Sequence, residues 1–311
     1  MSAPAERPRG RKSAGATGKV TFPPKVTQEM INLYDDYTHL TLDRRRFFDH
    51  LTRVAGGTAA AYTLLPLLES NYVQAAMVAP DDQRLSISTV SFPGAHGELT
   101  GYLARPAASM DPLPAVLVIH ENRGLNPHIE DVTRRIALEG FVALGVDFLS
   151  PVGGTPADED QAREMIGKLD PAQTVENAVA AVAYLAEHPA STGKVGSVGF
   201  CWGGAMSNQL AVNSAAVFAT VAYYGRQPEA AAVAKIKAPM MLHYAGLDER
   251  INAGIPDFET ALKGNGVAYE LFMYDNVNHA FNNDTNAARY DQKAADLAWN
   301  RTVKFFKEKL Q

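Results

Sequence analysis

Apolar positions along the chain collect into short runs separated by turn residues. Runs at 115–120, 142–146, 195–200, 220–223, 240–244 and 269–273 have the length and bounding residues of strands. Helical periodicity fills the gaps between them. Asn126-Pro127 places a capping side chain before a proline at the first helical position, and Glu130 and Asp131 follow in the first turn. Asp170-Pro171 repeats the device ahead of Val175, Ala178, Val179, Val182 and Leu185, which share one helical face. A last helix is predicted over 290–310. Near-continuous apolar strands alternating with helices predict a mostly parallel sheet covered on both faces. Right-handed crossovers then leave the strand C-terminal ends along one edge, where ligands bind.

The pattern changes before residue 85. Residues 1–25 read as a basic, disordered tail, and 26–80 as a helical extension without strand signals, ahead of an α/β unit over 81–311. Within the extension, Arg44-Arg45 with Phe47, followed by the apolar stretch 54–68, resembles a twin-arginine export signal. Val73-Gln74-Ala75 offers a cleavage site. Asp49, Pro66 and Glu69 fit that reading poorly. The alternative is a retained helical arm packed on the main unit. The first reading implies a periplasmic protein and the second a cytoplasmic one. A stable membrane span is not expected, because the apolar stretch falls short of the ~20 residues a helix needs.

Composition narrows the function. Of 311 residues, 46% are hydrophobic and 20% charged, which is enough apolar material for a full core. The net charge is −5, yet residues 1–30 carry Arg7, Arg9, Arg11, Lys12, Lys19 and Lys25 against Glu6 and Glu29. The remainder is therefore more acidic than the total, and nucleic acid is not an expected partner. A single cysteine, Cys201, excludes an intrachain disulfide and a cysteine-only metal cluster.

That cysteine stands in Gly199-Phe200-Cys201-Trp202-Gly203-Gly204, between a predicted strand and a helix. This is the nucleophile-elbow pattern, with sulfur where serine is commoner. The glycines let the chain turn sharply, and the helix N-terminus favours a thiolate. A P-loop is excluded because no lysine follows the glycines. A thiol nucleophile needs a base, and the base needs an acid to orient it. In this fold they follow in that chain order after later strands, which points to Asp248 as the acid and His279 as the base. Glu249 and Asp257 are weaker alternatives to Asp248, since only Asp248 follows a small-residue turn. The backbone N–H groups of Trp202 and Asn122 are the expected oxyanion donors. His120-Glu121 with His128 lacks a third ligand at helical spacing, so neither metal nor cofactor is expected. Asp147, at another strand end, reads as a loop anchor.

Taken together, these residues resemble the dienelactone hydrolase family of cysteine enzymes in the α/β-hydrolase superfamily, from about Leu85 to the C-terminus. The resemblance rests on Glu121, the Cys201 elbow, Tyr223-Tyr224-Gly225, Gly246-Leu247-Asp248 and Asn278-His279-Ala280-Phe281. It implies an α/β-hydrolase fold and a switch role for Glu121, which would hold the resting thiol until substrate displaces it. A surface salt bridge from Glu121 to Arg123 or Arg134 is the bland alternative. Family members that bind a carboxylate-bearing lactone carry an arginine four positions after the histidine, where this chain has Asn283. Arg123, Arg163, Arg226 and Tyr224 are the substitute substrate contacts. The expected activity is hydrolysis of small esters or lactones through an acyl-enzyme. A binding protein reusing the fold and a thiol sensor are the other readings. The first 80 residues leave export, homo-oligomer formation or pocket covering open.

Overall fold

In the computed structural model, residues 25–39, 41–71 and 76–311 are described, and three helices come first: α1 (Gln28–Thr38), α2 (Arg44–Val54) and α3 (Thr58–Leu68). Thr27 and Asp43 cap α1 and α2 by accepting from the Met30 and Arg46 amides. Between α2 and α3 the chain turns at Gly56-Gly57, where φ is +80° and +148°, so the apolar stretch 54–68 is not one continuous helix. Pro66 lies inside α3, and Glu69 caps its end. Arg44 and Arg45 stand exposed at the start of α2, while Phe47 is buried and stacks on Tyr37 at 4.6 Å. Among the described residues no helix is long and apolar enough to cross a membrane. The basic tail before Lys25 and the cleavage motif Val73-Gln74-Ala75 lie outside the described residues.

The rest of the chain builds one eight-stranded sheet in the order β1-β2-β4-β3-β5-β6-β7-β8. Its strands are β1 (Leu85–Gly94), β2 (Gly97–Pro106), β3 (Leu113–Ile119), β4 (Val142–Asp147), β5 (Ser191–Phe200), β6 (Val217–Tyr223), β7 (Met240–Ala245) and β8 (Tyr269–Tyr274). From β4 to β8 all neighbours are parallel, as the apolar runs predict. At the other edge β1 and β2 form an antiparallel hairpin that the sequence pattern did not reveal. Most β1 positions are exposed or half-buried, so this edge strand carries no apolar run.

Alternation along β3 shows how the sheet is sandwiched. Val116 and Val118 face a core shared with Ile129, Val132 and Ile136 of α4 (Pro127–Leu138) and Phe305 and Phe306 of α10 (Gln292–Lys309). Ala115, Leu117 and Ile119 face the opposite core, with Ala178, Val182 and Leu185 of α6 (Pro171–Glu187). Fully burying each such aliphatic side chain contributes about 1.5–3 kcal/mol, and this holds the strands in register. The predicted caps form. Asn126 accepts from Ile129 N, and Asp170 from Gln173 N. This is the α/β-hydrolase arrangement, and it sets the C-terminal ends of β3, β5, β6, β7 and β8 along one edge.

Candidate active site

Cys201 sits between β5 and α7 (Trp202–Asn213) with φ +55° and ψ −112°, a conformation that side chains rarely adopt. The turn is tight enough to require its glycines. A Cβ at Gly199 would lie 1.9 Å from the Gly203 carbonyl oxygen, and one at Gly203 would lie 2.3 Å from that of Ile119. Three further non-glycine residues have positive φ among the described residues: Tyr224, Asn276 and Ala280. All four follow β5, β6 or β8. Local strain is therefore concentrated at the edge where Cys201 and His279 lie.

Asp248 ends the turn after β7 and caps α8 (Glu249–Asn252) by accepting from Ile251 N through Oδ1. Its Oδ2 receives a 2.5 Å hydrogen bond from Nδ1 of His279, which lies in the loop after β8. Glu249 and Asp257 make no such contact with His279 among the described residues. Burial pushes the Asp248 carboxyl up, but the His279 imidazole outweighs it and holds the group below its ordinary value. For His279 the balance runs the other way. Burial disfavours its charge, yet Asp248, Cys201 and Asp35 raise its pKa well above the usual histidine range. Its Nε2 is buried and has no hydrogen-bond partner among the described residues. For Cys201, burial raises the thiol pKa, and the imidazoles of His279 and His39 reverse that and bring it down to about 6.

His39 was not foreseen. It follows α1 in the N-terminal arm, and its Nε2 lies 3.4 Å from Cys201 Sγ. Its ring meets the His279 ring edge-on at 4.8 Å. Nothing in the sequence around residue 39 marks it. Only docking of the arm brings it to the sheet edge.

A cleft of about 530 Å³ opens above the sulfur. Ile166, Leu169, Met206 and Ile251 give it apolar walls, and Thr38, His39 and Thr41 of the arm form one side. The substrate contacts proposed from sequence are distributed unevenly around it. Tyr224 is buried beside His279, with ring centroids 4.8 Å apart, and lines the cleft. Arg226 stands exposed at the rim. Arg163 also lines the cleft, but it pairs with Asp160 at 2.8 Å and stacks over Tyr37. Arg123 is not among the residues lining the cleft. It is buried and bonds Ser70 Oγ, Tyr34 OH and Glu159, so it ties the arm to α5 (Glu159–Gly167) rather than facing the cleft.

Trp202 and Asn122, the expected oxyanion donors, both line the cleft. Trp202 is the first residue of its helix, where an N–H has no intrahelical acceptor. The Asn122 side chain donates to the Thr38 carbonyl at 2.6 Å, which locks the loop after β3 to the arm. Glu121 is buried and accepts from Asn283 Nδ2 at 2.7 Å. Thus Asn283 holds the glutamate that the resemblance casts as a thiol switch. Arg134 turns instead to Val78 and Asp131.

His120 offers neither nitrogen to a metal. One contacts the Glu121 carbonyl and the other accepts from Phe148 N. Asp147 anchors its loop, accepting from Leu149 and Thr155. Among the described residues, His39, Cys201 and His279 bring three ligand-type atoms within 4.8 Å of one another. However, Arg250 Nη2 stands 3.0 Å from the His39 nitrogen that a metal would use, which disfavours a cation there.

Comparison with known proteins gives the family. The sequence profile described as "Dienelactone hydrolase family" matches residues 99–310. The chain belongs to the dienelactone hydrolase family. As a member it is a hydrolase of the carboxylic ester and lactone class. A Methylorubrum extorquens protein named "Putative carboxymethylenebutenolidase" is 31% identical over 246 residues, covering 74% of this chain and 84% of the relative. An Escherichia coli protein named "Putative hydrolase fragment YghX" is 46% identical over 113 residues, which is 36% of this chain and 97% of that protein. Among solved structures, "Putative Dienelactone Hydrolase" from Klebsiella pneumoniae superposes with a TM-score of 0.66 at 26% identity, covering 72% of this chain and 98% of the other. The family match begins at Leu99, so the arm that carries His39 lies outside it.

Proposed function

We propose that this dienelactone hydrolase family member cleaves small esters and lactones through a Cys201–Asp248–His279 triad and a thioester acyl-enzyme. The observation that carries this reading is one sulfur on a strained elbow, facing an imidazole bonded to a buried carboxylate at 2.5 Å. The lowered thiol pKa and the raised imidazole pKa favour a thiolate beside an imidazolium. The thiolate attacks the carbonyl carbon, and the developing oxyanion is met by the N–H groups of Trp202 and Asn122. His279 gives its proton to the departing alkoxide and becomes neutral. It then takes a proton from water as that water attacks the thioester, and Asp248 keeps the ring in the productive tautomer.

The cleft fits small substrates, and its walls are mainly apolar. Arg226 is the one proposed substrate arginine that lines the cleft and has no carboxylate partner among the described residues. We therefore assign it the contact with any substrate carboxylate.

The test is hydrolysis of a chromogenic short-chain ester and a small lactone by the wild type and Cys201→Ala. The reading predicts a loss of about four orders of magnitude or more in kcat/KM. Equal rates would remove the mechanism.

A further inference from the structure

Two acid–imidazole pairs converge on Cys201. The first is Asp248–His279. The second comes from the arm: His39 Nδ1 lies 2.8 Å from the Asp35 carbonyl and 3.4 Å from its Oδ2, while Nε2 faces Cys201 Sγ at 3.4 Å. Because a backbone carbonyl only accepts, Nδ1 carries a proton, and Nε2 is the nitrogen that the sulfur shares with Arg250 Nη2, which stands 3.0 Å from it. His39 Nε2 is the hydrogen-bond partner of Sγ in this structure, whereas His279 Nε2 is unpartnered among the described residues.

The arm holds this pair firmly. Asp35 is bound by Arg289 at 3.3 Å and Arg250 at 3.7 Å, and the Thr38 carbonyl is fixed by Asn122. Tyr37 and Arg44 both reach Asp160 on α5. His39 is therefore positioned from both sides of its own residue, in the manner expected of a working imidazole.

We propose that His39 is a second catalytic imidazole, supplied by the N-terminal arm, which shares with His279 the task of holding Cys201 as a thiolate. The inference rests on Cys201 being the nucleophile. When the S–H bond breaks, its electron pair stays on sulfur and its proton resides on Nε2 of one imidazole or the other. With Nε2 of His39 unprotonated, Arg250 donates to it. With Nε2 protonated, Arg250 keeps Asp35 as its partner and the imidazole donates to the thiolate. Other charged or titratable groups face this cluster from each element around it. They are Glu121 after β3, Tyr224 after β6, Asp248 after β7, and Arg289 before α10, with Arg123 behind the sulfur.

The measurement is the pH midpoint of Cys201 alkylation by iodoacetamide, followed alongside thiolate absorbance in the ultraviolet, for the wild type and His39→Gln. A midpoint rather than a rate is read, because removing the ring also changes access to the sulfur. The wild-type midpoint is expected near 6. In His39→Gln it should move alkaline by about one pH unit, a tenfold weaker thiol acidity. His39→Ala should show the same move, partly reversed by added imidazole. An unchanged midpoint in a folded His39→Gln, checked by circular dichroism, would overturn the proposal and leave His39 a packing residue. If that variant does not fold, Asp35→Asn substitutes, with a smaller alkaline move expected and no move counting against the proposal. Neither readout requires turnover. A Cys201→Ala variant with wild-type esterase rate would instead sink the nucleophile assignment, whatever His39 does.

Discussion

His279 and His39 approach the same sulfur from regions built in different ways. His279 comes from a loop of the α/β body, where short turns leave strands packed into two apolar cores on either side of the sheet. His39 comes from an arm with its own small apolar cluster, formed by Tyr34, Tyr37, Phe47, Leu51, Leu64 and their neighbours. What ties arm to body is mostly polar: Arg123 to Tyr34, Arg289 to Asp35, Asn286 to the Leu68 carbonyl, and the Asn71 amide to the Thr285 carbonyl. Apolar burial does not respond to proton concentration and is not screened by salt, whereas ion pairs respond to both. One half of the site is therefore fixed by the core. The other half is held by contacts that solution conditions can loosen.

The most severe break in this comparison is on the body side. Asp248→Asn keeps the shape but favours the wrong imidazole tautomer, so kcat for ester hydrolysis should fall about 10⁴-fold in steady-state assays. Arg289→Ala should act on the arm side. It leaves Asp35 short of its nearest arginine and is expected to loosen arm docking by about 2–3 kcal/mol. Limited proteolysis within residues 25–71 should accelerate while the body stays protected. For pH the sign follows from the lowered thiol: below about 6 the sulfur regains its proton, so kcat/KM should fall on the acid side with a midpoint there. A profile flat down to well below that value would contradict a Cys201 thiolate. Arg226→Ala should raise KM several-fold for an ester bearing a carboxylate and leave a neutral ester unchanged. The smallest effect is expected at Arg44, whose exposed pair with Asp160 is worth under about 1 kcal/mol, so Arg44→Ala should barely shift the melting temperature.

How much of this could be read from the chain depended on whether a residue's position follows from the sheet alone. Cys201, Asp248 and His279 each follow an apolar strand, and parallel topology puts such residues on one edge without further information. The β1–β2 hairpin escaped because its largely exposed edge strand shows no apolar run and β2 buries only alternate positions along most of its length. Arg123 looked like a cleft residue because it follows β3, but its side chain turns under the arm, a direction no local pattern encodes. His39 was invisible for a related reason. Its reach to Cys201 depends on ion pairs and hydrogen bonds between segments 84 to 254 residues apart in sequence. The Asn283–Glu121 bond is a further case, since the asparagine was notable in the sequence only as a missing arginine.

The most direct test of the central claim is to quench a reaction with a chromogenic acetyl ester during its first turnover and map the protein by peptide mass spectrometry. A Cys201 nucleophile gives a burst of about one equivalent of chromophore and a single acetyl group on the peptide containing Cys201, absent in Cys201→Ala. Turnover with Cys201 unmodified throughout, and with no burst, would contradict it.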